Sequence, residues 1–218
     1  MTTSQWDSYQ GNLRRFERPD PVSPWENVGV AQAVVLGKKG LAWGIGCHGW
    51  FPAEEEKSRL KEEGDGCSPA GVFQLGESFG YDSLEKVGIV KIPYRQLTQY
   101  DEGIDDSSSR YYNKIMDSRM IIDKDWTSFE TMFRPDGAYE LGLVIQHNEN
   151  NIPGKGSCIF MHVWQNDHHG TAGCTAMDLT VLNMLLHWLD QEKYPLLIQL
   201  PESEYRARQG PWCLPDLW

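Results

Sequence analysis

His162 and Cys174 stand twelve residues apart near the middle of the second half of the chain. A cysteine becomes a nucleophile when its thiolate is populated, and a nearby histidine achieves this by taking the proton and holding the resulting charge pair. The spacing suits that purpose. Ile159, Met161 and Val163 alternate with Cys158, Phe160, His162 and Trp164, so a strand here sets His162 on the face opposite its immediate neighbours. Asn166-Asp167-His168-His169-Gly170 cannot continue an apolar strand, and Gly173 lets the backbone approach closely just before Cys174. The thiol is thereby brought back towards the imidazole, in a turn of small residues, Thr171, Ala172 and Gly173, that leaves room for an acyl group. The backbone N–H groups of Gly173 and Cys174 are candidate donors to a tetrahedral oxyanion. On this reading the thiolate forms well below the free-thiol range. The alternative is a small buried cysteine and a satisfied strand histidine.

Two further stretches carry unusual punctuation. Glu63 to Gly76 packs four glycines and Pro69 ahead of an apolar run, which demands a tight loop leading into a strand. It lacks the Gly-x-x-x-x-Gly-Lys-Ser/Thr spacing of a phosphate loop. Asp105 to Asn113 follows an acidic, serine-rich segment from Tyr100 that reads as a flexible loop. Its Arg110, Tyr111, Tyr112 and Asn113, together with Trp164, are candidate contacts for a polar peptide ending in a carboxylate. The competing reading has the tyrosines capping the core and Arg110 in solvent.

Glu63-Gly64-Asp65-Gly66 with Pro69-Ala70-Gly71-x-Phe73, Gly156-Ser157-x-Ile159-Phe160-x-His162, and Thr171-Ala172-Gly173-Cys174 together resemble the L,D-transpeptidase catalytic domain, or YkuD domain, over roughly Asn27 to Pro201. The Asp105 to Asn113 segment resembles the same branch. In that branch the histidine beside the Gly-Cys pair of better-known members is replaced, here by Ala172, and Met177 stands where an arginine is common. The resemblance implies a mostly β sandwich or barrel with a few helices, one of them after the cysteine. It implies Cys174 as nucleophile and His162 as base, acting on peptidoglycan stem peptides without a cofactor or metal, and acylation by carbapenems. It further implies a periplasmic or cell-envelope location. Transpeptidation, L,D-carboxypeptidation and exchange of the terminal D-residue share one acyl-enzyme. A wall-binding module without turnover is a separate alternative, and a zinc hydrolase using His162, His168, His169 and Cys174 is another.

Composition narrows the field. With 218 residues, 40% of them apolar, and nine tryptophans, the chain can bury one full core. A net charge of −11 with no basic run argues against nucleic acid. No stretch approaches the roughly 20 apolar residues of a membrane span, and Met1 to Gln10 has neither the basic start nor the apolar centre of a signal peptide. An envelope role therefore requires a trimmed export signal or another route. Of five cysteines, Cys47, Cys67, Cys158 and Cys213 remain once Cys174 is set aside, and these either pair as disulfides or stay reduced.

The elements that must position the site follow from periodicity. Residues 1–26, broken by Pro19, Pro21 and Pro24, read as a draped arm; 27–201 as the catalytic domain; 202–218 as a tail, docked on the surface. Asn27 to Leu36 and Leu41 to Cys47 read as a hairpin turned at Gly37-Lys38-Lys39-Gly40. Glu54 to Glu63 is a charge run expected to form a solvated face. Gly88 to Leu97 reads as another apolar stretch, Ile89, Val90, Ile92 and Tyr94, with Pro93 marking an edge strand or a strand end. Trp126, Phe129 and Met132, spaced by three, suggest a short helix. Tyr139 to His147 alternates as a strand, with His147 at its end. Asp178 caps an expected helix through Leu179, Leu182, Leu185, Leu186 and Leu189 to about Tyr194, and Leu196 to Leu200 is a last strand.

Overall fold

The computed structural model describes residues 1–48 and 59–217. In chain order its strands are β1 (Thr2–Thr3), β2 (Gln10–Leu13), β3 (Phe16–Glu17), β4 (Glu26–Asn27), β5 (Gln32–Val35), β6 (Leu41–Trp43) and β7 (Ser68–Gly80). There follow β8 (Tyr94–Gln96), β9 (Asp101–Gly103), β10 (Ile115–Asp117), β11 (Glu130–Thr131), β12 (Leu141–Ile145), β13 (Phe160–Val163), β14 (Thr175–Met177) and β15 (Leu196–Pro201). The described residues also form helices α1 (Leu84–Val87), α2 (Leu179–Trp188) and α3 (Glu202–Arg208), and 3-10 turns at Ser118–Met120 and Gln191–Lys193.

The fold is mostly β, built on a closed barrel of eight strands. Strand order runs β12-β13-β14-β5-β2-β1-β15-β7, and β7 pairs back onto β12 to close the ring. Closure leaves no free edge in this ring. β6 and β8 each pair with β7 alone, and β10, β9 and β11 form a separate three-stranded sheet. No helix among the described residues is long and apolar enough to cross a membrane.

Two apolar clusters lie on opposite faces of β13. Ile159, Met161 and Val163 join Leu141, Leu143, Ile145 and the α2 leucines in the larger one. Cys158, Phe160 and Cys174 join Phe79, Met132 and Tyr139 in the smaller one. The period-2 alternation of both strands creates this division. Helix α2 begins where Asp178 accepts the Thr180 N–H at 2.8 Å, and it buries Leu182, Leu185 and Leu186 against the larger cluster, each contributing about 1.5–3 kcal/mol. It therefore packs on the side of β13 away from the cysteine.

Several expectations are corrected. Residues 1–26 are no mere arm: β1 pairs in parallel with β15 and antiparallel with β2, and the Met1 amine donates to Ile198 O at 2.7 Å from a buried position. β5 and β6 do not form a hairpin, because β5 pairs with β2 and β14 while β6 runs parallel to β7. Between them Gly37 bridges Thr171 and lies so close to the Gly66–Ser68 loop that a Cβ there would meet Gly66 O at 2.5 Å. Between Gly88 and Leu97 only the residues after Pro93 form a strand, and Ile89 is 90% exposed. Asp101–Gly103, expected as flexible loop, is the central strand of the small sheet. Trp126 to Met132 forms no helix; Trp126 and Met132 are buried and Glu130–Thr131 pairs with β9. Helix α2 ends at Trp188, with a 3-10 turn at Gln191–Lys193 before the αL residue Tyr194. The tail contains α3, whose Tyr205 is buried and donates to Pro215 O. All five cysteines are free thiols. The first half of the Glu54 to Glu63 run lies outside the described residues; in the second half Arg59, Leu60, Glu62 and Glu63 are exposed as expected, while Lys61 is buried, 4% exposed.

Candidate active site

The parallel pairing of β13 with β14 sets Met161 opposite Thr175 and His162 opposite Ala176. Side chains paired across a ladder share a face, and those two apart on one strand share it too. His162, Ala176, Phe160 and Cys174 therefore look the same way. The short parallel ladder brings the two sequence candidates to one face, with His162 level with the residue two beyond Cys174. No hydrogen bond joins them. The Cys174 Sγ–H donates to Cys158 O and the sulfur accepts from the Phe160 N–H, both at 3.4 Å.

The turn before Cys174 is held by hydroxyls. Thr171 Oγ1–H donates to Cys174 O at 2.5 Å, and Ser68 Oγ–H donates to the same carbonyl at 2.8 Å. The Gly173 N–H donates to Thr171 Oγ1 at 3.1 Å, so it is committed within the turn and is not an available oxyanion donor. Thr171 is tied to the Gly37 corner through its N–H to Leu36 O and its carbonyl from the Lys38 N–H. Ala172 is exposed.

His162 is half-buried. Its Nδ1–H donates to its neighbour's carbonyl, Val163 O, at 2.8 Å, which fixes the tautomer and leaves Nε2 as the acceptor. Burial lowers its pKa from the usual histidine value, with the Arg134 charge adding to the effect and the Val163 bond opposing it. The Tyr139 ring packs edge-on against the imidazole, and its hydroxyl donates to Glu130 Oε2. Burial raises the Glu130 carboxyl above its ordinary value.

Cys174 is 8% exposed, and burial pushes its thiol up to about 12, reinforced by the Glu130 charge. The Phe160 N–H, Lys61 and Arg134 act in the opposite direction. This overturns the expectation of a thiolate formed well below the free-thiol range: the apolar cluster around the sulfur outweighs these partners, and His162 is not among them.

The remaining candidates separate. Tyr112 is buried, donating to Glu63 Oε2, which also accepts from Ser157 Oγ. Asn113, at φ 65°, spends its amide on His147 O and Asn148 O and its carbonyl on the Cys158 N–H. Both are braces of the loop that presents Cys158, not open contacts. Arg110 pairs with Asp125 at 3.4 Å and donates to Asp123 O, and Tyr111 packs edge-on against Trp126. Trp164 is half-buried at the end of β13, its N–H on Met177 O. His147 is buried, accepting the Ile45 N–H at Nδ1 and donating from Nε2 to Lys155 O. His168 and His169 are exposed, on Asp167 and Asn166, and among the described residues no three His, Cys, Asp or Glu side chains converge as metal ligands. That separates the ligand set of the zinc alternative.

Sequence reasoning missed Lys61, Glu130 and Tyr139. Lys61 Nζ donates to Asp65 Oδ1 at 2.6 Å and to Glu62 O at 2.8 Å. Its i,i+4 spacing to an aspartate inside the glycine-rich loop was the available signal. Glu130 and Tyr139 lie in separate segments that only the tertiary fold unites.

Compared with protein-family models, curated proteins and solved structures, the chain matches none of them.

Proposed function

We propose that the chain is a YkuD-like L,D-transpeptidase of the cell envelope, acting on peptidoglycan stem peptides through an acyl-enzyme on Cys174. The observation that carries the reading is that His162 on β13 and Cys174, the residue just before the parallel strand β14, face the same way, with His162 Nδ1 anchored to Val163 O so that Nε2 is the basic nitrogen. The sequence resemblance supplies the reaction.

Cys174 attacks the carbonyl that follows an L-centre. A sulfur–carbon bond forms as the thiol proton passes to His162, the carbon–nitrogen bond breaks, and the departing D-residue takes that proton back. An amine from a neighbouring stem then displaces the sulfur to give a cross-link, its N–H proton passing through His162 to the departing sulfur as the carbon–sulfur bond breaks. Water in its place gives an L,D-carboxypeptidase, and a free D-amino acid gives exchange. Because burial disfavours the free thiolate, the proton leaves sulfur during the attack rather than before it.

A second reading is a cell-wall-binding module with weak or no turnover, favoured by the burial of Cys174 and the commitment of its S–H to Cys158 O. Incubation with tetrapeptide muropeptides, followed by chromatography of the products, separates the two. The transpeptidase reading requires dimer formation or loss of the terminal D-residue, abolished in Cys174→Ala. Binding without conversion supports the module.

A further inference from the structure

Strand β10 is an edge of the three-stranded sheet, paired among the described residues with β9 alone. Just before and just after it, Lys114 O accepts from the Ile104 N–H and the Ser118 N–H donates to Tyr100 O, so the residues in step with these spend their backbone groups on β9. Groups alternate along an antiparallel strand, and the N–H and C=O of Ile115 therefore point the other way, where no described residue bonds them. A free edge of this kind can take an extended peptide as one more strand.

A groove of about 400 Å³ runs along that edge, within the ~300–1,000 Å³ usual for ligand sites. Asn113, Lys114, Ile115 and Met116 all line it, and successive residues of a strand, whose side chains alternate, meet one cavity only along the strand's edge. Its other wall is the outer face of the barrel at Gly76, Val144, Gln146 and Phe160. Gly76 keeps the groove open, since a Cβ there would meet Val144 Cβ at 3.3 Å and Gln146 Cγ at 3.4 Å. Phe160 and Val144 pack in the apolar cluster that includes Cys174, so the groove lies on the cysteine's face of β13.

Two donors at one end are unspent. Lys114 is exposed and its ammonium makes no hydrogen bond or ion pair among the described residues, and the side-chain amide of Gln146 is likewise unbonded. Their ends of the strands meet, because Asn113, next to Lys114, donates to the carbonyl of His147, next to Gln146, at 3.1 Å. The groove's other cation, Arg95, is committed to Glu77 at 3.2 Å and to Asp101 at 3.4 Å. An ammonium and an amide with N–H groups to spare suit a carboxylate.

We propose that this groove binds the C-terminal segment of an extended peptide, which pairs its backbone with Ile115 on the β10 edge and sets its terminal carboxylate on Lys114 and Gln146. The site goes beyond the chemistry at Cys174 and needs no thiol.

The test is calorimetric titration of the full chain with acetyl-tetraalanine and with its C-terminal carboxamide. The free acid should bind about tenfold or more tightly, the usual worth of a charge-assisted hydrogen bond. Lys114→Met should weaken the acid by about the same factor and leave the carboxamide unchanged. Binding should also protect the Ile115 N–H from hydrogen exchange. Gly76→Val, with folding checked by thermal melting, fills the groove and should weaken both peptides; should it not fold, Gln146→Leu should weaken the acid alone. No saturable binding of either peptide, equal affinity for the two, or undiminished binding of the acid by Lys114→Met or by a folded Gly76→Val overturns the proposal. Cys174→Ala should bind the acid as the unmutated chain does. A chain that binds the acid but is not acylated by a carbapenem would lose the acyl-transfer reading and keep this site.

Discussion

The Tyr139 ring stands edge-on to the His162 imidazole, with centroids 5.4 Å apart and planes at 86°, while its hydroxyl donates to Glu130. One residue thus braces the candidate base and satisfies a buried carboxyl. Tyr139→Phe keeps the ring contact and deprives Glu130 of its donor, so denaturant unfolding should show a loss of about 1–3 kcal/mol with kcat nearly unchanged. Tyr139→Leu removes the brace as well, and kcat should fall about tenfold or more with little change in KM. Equal kcat in the two variants would refute the bracing role.

Cys174 should react slowly as a free thiol despite its histidine neighbour. With its pKa pushed up to about 12 by burial, its alkylation by iodoacetamide at pH 7 should be at least about a hundredfold slower than that of an exposed cysteine, whose pKa is about 8.5. The rate should climb steadily with pH. His162→Ala should leave that profile in place, because the imidazole makes no hydrogen bond to the sulfur. Fast alkylation at pH 6, or an upward shift of about one pH unit in His162→Ala, would contradict the geometry.

His147 ties the start and end of its loop to the barrel only while neutral, since its Nδ1 accepts from Ile45 N–H and its Nε2–H donates to Lys155 O. Burial lowers its pKa to about 4, from about 6.5 when unfolded. Between those values the unfolded chain binds more protons, so stability is complete above about pH 6.5 and falls as pH drops through about 4. The loss amounts to roughly 3 kcal/mol. Urea unfolding across this window should show the slope, and His147→Gln should flatten it. An unchanged slope in the variant would assign the acid sensitivity to other groups.

Elements set by local periodicity were legible in the sequence. The alternation of Leu141, Leu143 and Ile145 gave β12, and Asp178 with Leu182, Leu185 and Leu186 gave α2 with its cap. Pairing partners were not, because a strand's neighbour depends on chain far away. Leu41–Trp43 looks like the return strand of a hairpin, yet its ladder is with Ser68–Ala70. The polar Thr2 and Thr3 read as an arm although both are buried between β15 and β2. Trp126 and Met132 carry a helical spacing that the buried positions beside β11 happen to share.

The site divides in the same way. His162 and Cys174 were visible because reactive residue types are rare and their strand and turn contexts are local. The environment of Cys174 was hidden, since it is made by Glu130, Tyr139 and Lys61 from distant segments. Lys61 was masked further by the charge run in which it sits.

The most direct test of the central claim is intact-mass spectrometry of the chain after incubation with a carbapenem, alongside Cys174→Ala. Acyl transfer through Cys174 predicts one covalent adduct on the unmutated chain, mapping to the peptide that contains Cys174, and none on the variant. No adduct on the unmutated chain, or an adduct that persists in Cys174→Ala, would contradict it.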